Sequence, residues 1–173
     1  KLVFSRDDTG LERLRNRGQD WYAEYCAMPD EQRPAIRTYT VRAVRPERAE
    51  LDVDVVLHGV EDGHAGPVVS WAAAAVPGDR ITLLGPDRPG SGRPWGVEWA
   101  TPPAALTLLL AGDETAVPAV CAILESLGSG PRSVTALLEV PEAGDAMNVV
   151  LPARATLRWL PRDGAARGSR LVP

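Results

Sequence analysis

Two short runs, Arg37-Thr38-Tyr39-Thr40-Val41-Arg42 and Asp54-Val55-Val56-Leu57-His58-Gly59, gather two arginines, a tyrosine, threonines, a carboxylate and a histidine. Both have β-type composition, and alternation along a strand sends Arg37 and Tyr39 to one face, Thr38 and Thr40 to the other. An arginine beside a tyrosine pairs with a phosphate while the ring packs on an aromatic plane. The pattern therefore suits a flat, negatively charged cofactor. An isolated R-x-Y-T run reads first as a solvated barrel strand, so the pattern gains weight only from what accompanies it.

Two glycine-led segments accompany it. Gly66-Pro67-Val68-Val69-Ser70-Trp71 reads as a turn entering a helix, with Pro67 at a favourable first position. Such a start presents free backbone N–H groups and the positive end of the helix dipole, which suits a pyrophosphate. Ser70 adds a hydroxyl, and Trp71 reads first as a core anchor. Gly112-Asp113-Glu114-Thr115-Ala116-Val117-Pro118-Ala119 follows a continuous apolar run, at the place where open α/β sheets bind ligands. Asp113 and Thr115 are also plain helix caps. His58 reads equally as a strand-end histidine bonded to a carbonyl, and with His64 it lacks the further ligands a metal needs.

Other chemistries find little support. There is no G-x-G-x-x-G fingerprint and no Walker lysine motif. Ser70 lacks a G-x-S-x-G elbow, and nothing marks Asp113 and Glu114 as an acid/base couple. A formal net charge of -4 argues against general nucleic-acid binding. Cys26 and Cys121 stand far apart, outside any C-x-x-C pattern, which disfavours a disulfide framework, a zinc site or an iron–sulfur site. No apolar run is long enough to span a bilayer, and no leader pattern opens the chain. A soluble, reducing, cytoplasmic setting is expected, with the chain a monomer and inserted in no membrane. Lys1-Leu2-Val3-Phe4 already reads as the body of a strand, so the chain is expected to be a segment of a longer protein.

The elements that must position these residues read as follows. Residues 1–4 are a strand. Residues 11–26 form a surface loop with one helical turn. Val41–Val44 and Leu51–Leu57 make a hairpin around Pro46-Glu47-Arg48-Ala49-Glu50, with Leu51, Val53, Val55 and Leu57 alternating. Val68–Val76 is a short helix, and Arg80–Leu84 a strand. Residues 86–104 are dense in proline, glycine and tryptophan and hold the domain boundary. Ala105–Ala111 reads as a central parallel strand buried on both faces. A helix from Ala116 to Leu127, a strand at Ser133–Val140, a short strand at Asn148–Leu151 and another at Thr156–Leu160 follow. Strand–helix–strand is the start of a doubly wound α/β unit.

Taken in order, these blocks resemble the siderophore-interacting protein family of flavin-dependent ferric-siderophore reductases, within the ferredoxin-reductase-like fold. The resemblance runs from about Trp21 to Leu160. It rests on Arg37–Arg42, Asp52–Gly59, Gly66–Ala72 with Pro77-Gly78-Asp79, and Ala111–Ala119, with Trp159-Leu160 matching a later strand.

The resemblance implies a β-barrel FAD-binding domain, partial at its N-terminus, over residues 1–88. It implies a linker at 89–104 and an α/β doubly wound reductant-binding domain over 105–173, incomplete at its C-terminus. It further implies Arg37 at the FAD phosphate or flavin edge, Tyr39 on the isoalloxazine, and Thr38 and Thr40 beside the flavin. Asp54 and His58 would hold the ribityl and adenine side. Gly66, Pro67, Val69, Ser70 and Trp71 would line the pyrophosphate, while Asp113, Thr115 and Ala116 would approach the flavin from the second domain. Val69 stands where the family usually carries serine, leaving that contact to backbone N–H groups. The activity implied is reduction of a ferric siderophore by FAD, with NADH, NADPH or reduced ferredoxin as donor and no side chain as nucleophile. A general NAD(P)H:flavin oxidoreductase and a flavin-free siderophore-binding module are the alternatives.

Overall fold

The computed structural model describes residues 2–4, 9–14, 20–60, 63–85, 99–100, 107–128 and 133–171. Most of the expected boundary segment at 86–104 lies outside them. By compactness the chain divides into two units, Lys1–Tyr39 with Leu57–Gly96, and Thr40–Val56 with Val97–Pro173. The hairpin that the sequence reading grouped with the first half thus counts with the second.

In the first unit, β1 (Leu2–Phe4) is flanked by β2 (Ala35–Arg37) and β5 (Thr82–Leu83), both antiparallel to it. This three-stranded sheet is open. Where a loop with one turn was expected, two helices stand, α1 (Thr9–Leu14) and α2 (Trp21–Ala27). They are pinned by Arg13, whose Nε and Nη2 both donate to Glu24 Oε1, at 3.0 and 2.7 Å. Arg33 then ends the segment: its guanidinium donates to the Met28 carbonyl at 2.6 Å and lies over the Tyr25 ring at 5.6 Å. Helix α3 (Pro67–Ala74) packs beside β1 and turns Val68 and Val69 inward.

The second unit begins with the hairpin of β3 (Thr40–Arg45) and β4 (Glu50–Asp54), joined by a 3-10 turn at Pro46–Arg48. The second strand stops at Asp54, short of Leu57. Register slips between Val41 and Ala43, so Arg42 occupies a bulge. A bulge re-aims the side chain it carries, and Arg42 here reaches Glu125 on α4 (Val117–Ser126) at 2.8 Å.

Strands β6 (Thr107–Gly112), β7 (Ser133–Val140) and β8 (Ala155–Pro161) form a parallel sheet in that order. Helix α4 crosses from β6 to β7, as the sequence predicts. Its Val117, Val120, Cys121 and Leu124 meet Leu110, Val134, Ala136, Leu138 and Val140 in the core. Each fully buried leucine there contributes roughly 1.5–3 kcal/mol.

Two expectations fail in this unit. Among the described residues β6 stands at the edge of its sheet with one buried face, and Leu109 on its other face is 66% exposed. Asn148–Leu151 pairs with no strand among the described residues. Met147 and Val149 instead pack on the core, while Val150 donates its N–H to Glu125. The 141–154 connection therefore covers part of the core without a helix, carrying only a 3-10 turn at Ala143–Asp145.

Candidate functional site

The candidate residues fall in both compact units, and each group is described by itself. In the first unit, β2 ends at Arg37, so Thr38 and Tyr39 are not in a strand and the expected strand alternation stops there. Arg37 is exposed and donates to its neighbour's carbonyl, Ile36 O, at 3.0 Å. Its guanidinium still influences Tyr39. Burial pushes the Tyr39 phenol up, and Arg37 pulls it partly back. The exposed Arg37 charge is thus felt at the half-buried Tyr39 ring.

The start of α3 supplies the second part of that unit's group. Its N-cap is Gly66, extended at φ -69° and ψ 166°, and no side chain caps the helix. Space beside Gly66 is open: an added Cβ would meet nothing within 4 Å. First-turn N–H groups left uncapped beside open space fit a phosphate, which they would hold without any side chain. Val69 is 4% exposed, so a role there falls to its backbone rather than its side chain. Ser70 is exposed, with its hydroxyl 3.4 Å from Ala65 O, a weak bond. Trp71 is half-buried, and His58 and Pro67 are exposed.

In the second unit, Thr40 and Asp54 are directly opposed across the hairpin. Asp54 Oδ2 and Arg42 Nη1 are buried without a partner among the described residues. A buried carboxyl oxygen without a donor is costly.

The turn after β6 is built closely. Asp113 Oδ1 accepts from Thr115 N at 3.0 Å and from the Thr115 hydroxyl at 2.6 Å, and Ala116 N donates to Asp113 O at 2.9 Å. Gly112 is needed for this path, since a Cβ there would stand 2.5 Å from Ala116 Cβ. The expected cap is thus present for Asp113, at a 3-10 turn over Glu114–Ala116, whereas Thr115 donates to Asp113 and α4 begins at Val117 with no side-chain cap of its own.

Beside that turn lies a charge cluster that sequence reasoning missed. Glu114, 7% exposed, accepts from Arg162 Nη1 at 2.6 Å, Arg162 Nη2 at 2.9 Å and Arg167 Nη2 at 2.6 Å. Glu139, fully buried at the end of β7, accepts from Gly168 N at 2.6 Å, Arg170 N at 2.8 Å and Arg162 Nη1 at 3.3 Å. The Arg162 fork holds the Glu114 carboxyl down at about 2, overcoming the upward push of burial. For Glu139, burial alone would raise the pKa. The N–H groups of Arg170 and Gly168, with Arg162, outweigh it and hold the carboxyl low. One sequence signal was available: a lone glutamate at 139 in an apolar strand, since such a residue is seldom buried without a partner. Among the described residues no cluster of His, Cys, Asp and Glu is arranged to hold a metal, and no helix is long and apolar enough to cross a membrane.

Comparison with known proteins gives the same outline. Residues 1–90 match the family model of the siderophore-interacting FAD-binding domain, and residues 105–173 that of the siderophore-interacting protein. An uncharacterised protein of Mycobacterium tuberculosis is 41% identical over 168 residues, covering 96% of this chain and 53% of that protein. The ferric vibriobactin reductase ViuB of Vibrio cholerae is 35% identical over 163 residues, covering 94% of this chain and 53% of the reductase. The crystal structure of a siderophore utilization protein from T. fusca superposes with a TM-score of 0.60 at 35% identity, over 79% of this chain and 46% of that one. The chain spans about half the length of the curated relatives it matches. With half of its residues matched by the FAD-binding model and the second half by its companion, the chain belongs to the siderophore-interacting protein family.

Proposed function

We propose that this chain forms the FAD-holding part, and the start of the reductant-side part, of a reductase that takes Fe(III) in a siderophore to Fe(II). NADH, NADPH or reduced ferredoxin is the donor. Bound FAD supplies the conversion between the donor's electrons and one-electron delivery to iron. Fe(II) binds hard oxygen chelators more weakly than Fe(III), so reduction releases the metal.

In this reading, Arg37 neutralises phosphate or the flavin edge and Tyr39 packs on the ring. Thr38 and Thr40 bond its polar edge. Asp54 and His58 hold the ribityl and adenine side. The amides after Gly66 take the pyrophosphate, with Pro67, Val69, Ser70 and Trp71 shaping that turn. Asp113, Thr115 and Ala116 face the flavin from the second domain. The domain division follows the same reading, at residues 1–88 and 105–173 with a linker between, and the protein is a cytoplasmic monomer.

The observation that carries the proposal is the uncapped start of α3 at Gly66, in the same unit as the exposed cation Arg37. The test is FAD titration followed by visible absorbance and flavin fluorescence. The chain should become yellow, and the colour should bleach with one of the three donors and return on adding a ferric siderophore. Arg37→Ala should weaken FAD binding by roughly 1.5–3 kcal/mol, about ten- to a hundredfold, the worth of one charge-assisted bond. A colourless protein that no excess of FAD reconstitutes would refute the reading.

A further inference from the structure

The charge cluster lies at the carboxyl ends of three parallel strands. Asp113 and Glu114 follow β6 directly, Glu139 is the penultimate residue of β7, and Arg162 follows β8. Open α/β sheets usually leave that edge to ligands. Here residues 162–171 run along it as a chain of turns. Arg162 N donates to Val140 O at 2.9 Å and Asp163 N to Pro141 O at 3.0 Å, which ties this strap to the end of β7. Gly168, at φ +83°, lets the strap turn its N–H into the buried Glu139 carboxylate.

The strap has an outward consequence. Arg162 grips Glu114 with both arms of its fork. Arg167, half-exposed, bonds the same carboxylate and places its Nε 3.7 Å from Asp113 Oδ2. Asp113 in turn organises the turn through Thr115 and Ala116. A continuous chain of hydrogen bonds and ion pairs thus runs from a buried anchor, Glu139, to the turn that the functional reading directs at the flavin.

We propose that Arg162 and Arg167 are positioning residues: the 162–171 strap, anchored on Glu139, uses them to fix the 113–116 turn through Glu114 and Asp113, and so sets the environment of the bound flavin. The effect on the flavin rests on the function proposed above; the fixing of the turn does not.

The test uses Arg167→Ala, where the residue is half-exposed and the Arg162 fork remains, alongside Arg167→Lys. Hydrogen exchange on the flavin-free protein should show the Thr115 and Ala116 amides exchanging at least about tenfold faster in the alanine variant, as expected on losing a charge-assisted bond. The β7 amides should keep their protection, and lysine should restore part of the effect. With FAD bound, the alanine variant should keep its FAD affinity, change the visible circular dichroism of the flavin, and lose roughly tenfold or more in the turnover of ferric siderophore, as for a misplaced reacting environment.

Unchanged exchange at Thr115 and Ala116 overturns the proposal. So does loss of protection spreading equally through β7, which would make Arg167 a general stabiliser. Faster exchange with unaltered flavin dichroism and turnover overturns its functional half. A wild-type chain that takes up no FAD sinks the functional reading instead, and exchange alone then decides whether the strap fixes the turn.

Discussion

Arg162→Ala is the perturbation whose size the structure best defines. Arg162 gives two bonds to Glu114 and one to Glu139, and the three side chains are 13%, 9% and 0% exposed. Removing one partner from a buried pair strands the other, at a cost of roughly 3–5 kcal/mol. Linkage gives a second route to the number. Glu114 is held at about 2 against an ordinary 4.5, with Arg162 the largest cause. That difference contributes on the order of 3 kcal/mol at neutral pH.

The two routes are of the same order, Arg162 being the largest of several causes of the second, and the second sets the pH dependence. A carboxyl with a lowered folded-state pKa stabilises above its unfolded value, and the contribution disappears as pH falls through the folded value. The gap between wild type and Arg162→Ala should therefore be about 3 kcal/mol at neutral pH and close progressively below pH 4.5 toward about 2. Urea unfolding at steps from neutral to acid pH measures it directly. Adding Glu114→Gln to the alanine variant should recover part of the loss, because the buried charge at 114, left with Arg167 as its one guanidinium partner, is then removed. A gap that stays constant as pH falls, or one under about 1 kcal/mol at neutral pH as for an exposed pair, would refute the reasoning.

Three further outcomes are expected. Leu124→Ala, at a fully buried position on α4, should cost about 2–5 kcal/mol in urea unfolding. Gly112→Ala forces a Cβ to within 2.5 Å of Ala116 Cβ; it should cost about 1–3 kcal/mol and raise hydrogen exchange at Thr115, whereas a neutral result would show that the turn yields easily. Ser70→Ala should leave FAD affinity within error, since its hydroxyl is engaged weakly with Ala65 O and the pyrophosphate reading depends on backbone N–H groups; a large loss would move that role to the hydroxyl.

The elements that read cleanly were those with a strong local period. Ser133–Val140 stands as predicted, because its alternating apolar residues fill one buried face of the central strand. Helix α4 and the start of α3 follow from proline placement in the first turn in the same way. Elements whose apolar content is spent on packing without pairing misled the reading. Asn148–Leu151 was expected as a strand, yet Val149, with Met147 before it, is a cover over the core. The charged run before Trp21 looked like a loop because the bond that holds its two helices together, Arg13 to Glu24, spans eleven residues and leaves no periodic trace.

The candidate site divides along the same line. The sequence alone showed which segments open on local turn chemistry: glycine before proline at 66–67 starts a helix without a side-chain cap, and Asp113 caps the turn after β6, since both effects arise within a few residues. Tertiary structure decided the rest. It turned Val69 inward, placed Arg42 on a bulge facing Glu125, and brought Arg162 and Arg167 back onto Glu114 from some fifty positions away. A buried carboxylate needs a cation, but nothing in its own neighbourhood of sequence says which one. Only the parallel sheet, which sets the ends of β6, β7 and β8 side by side, supplies that answer.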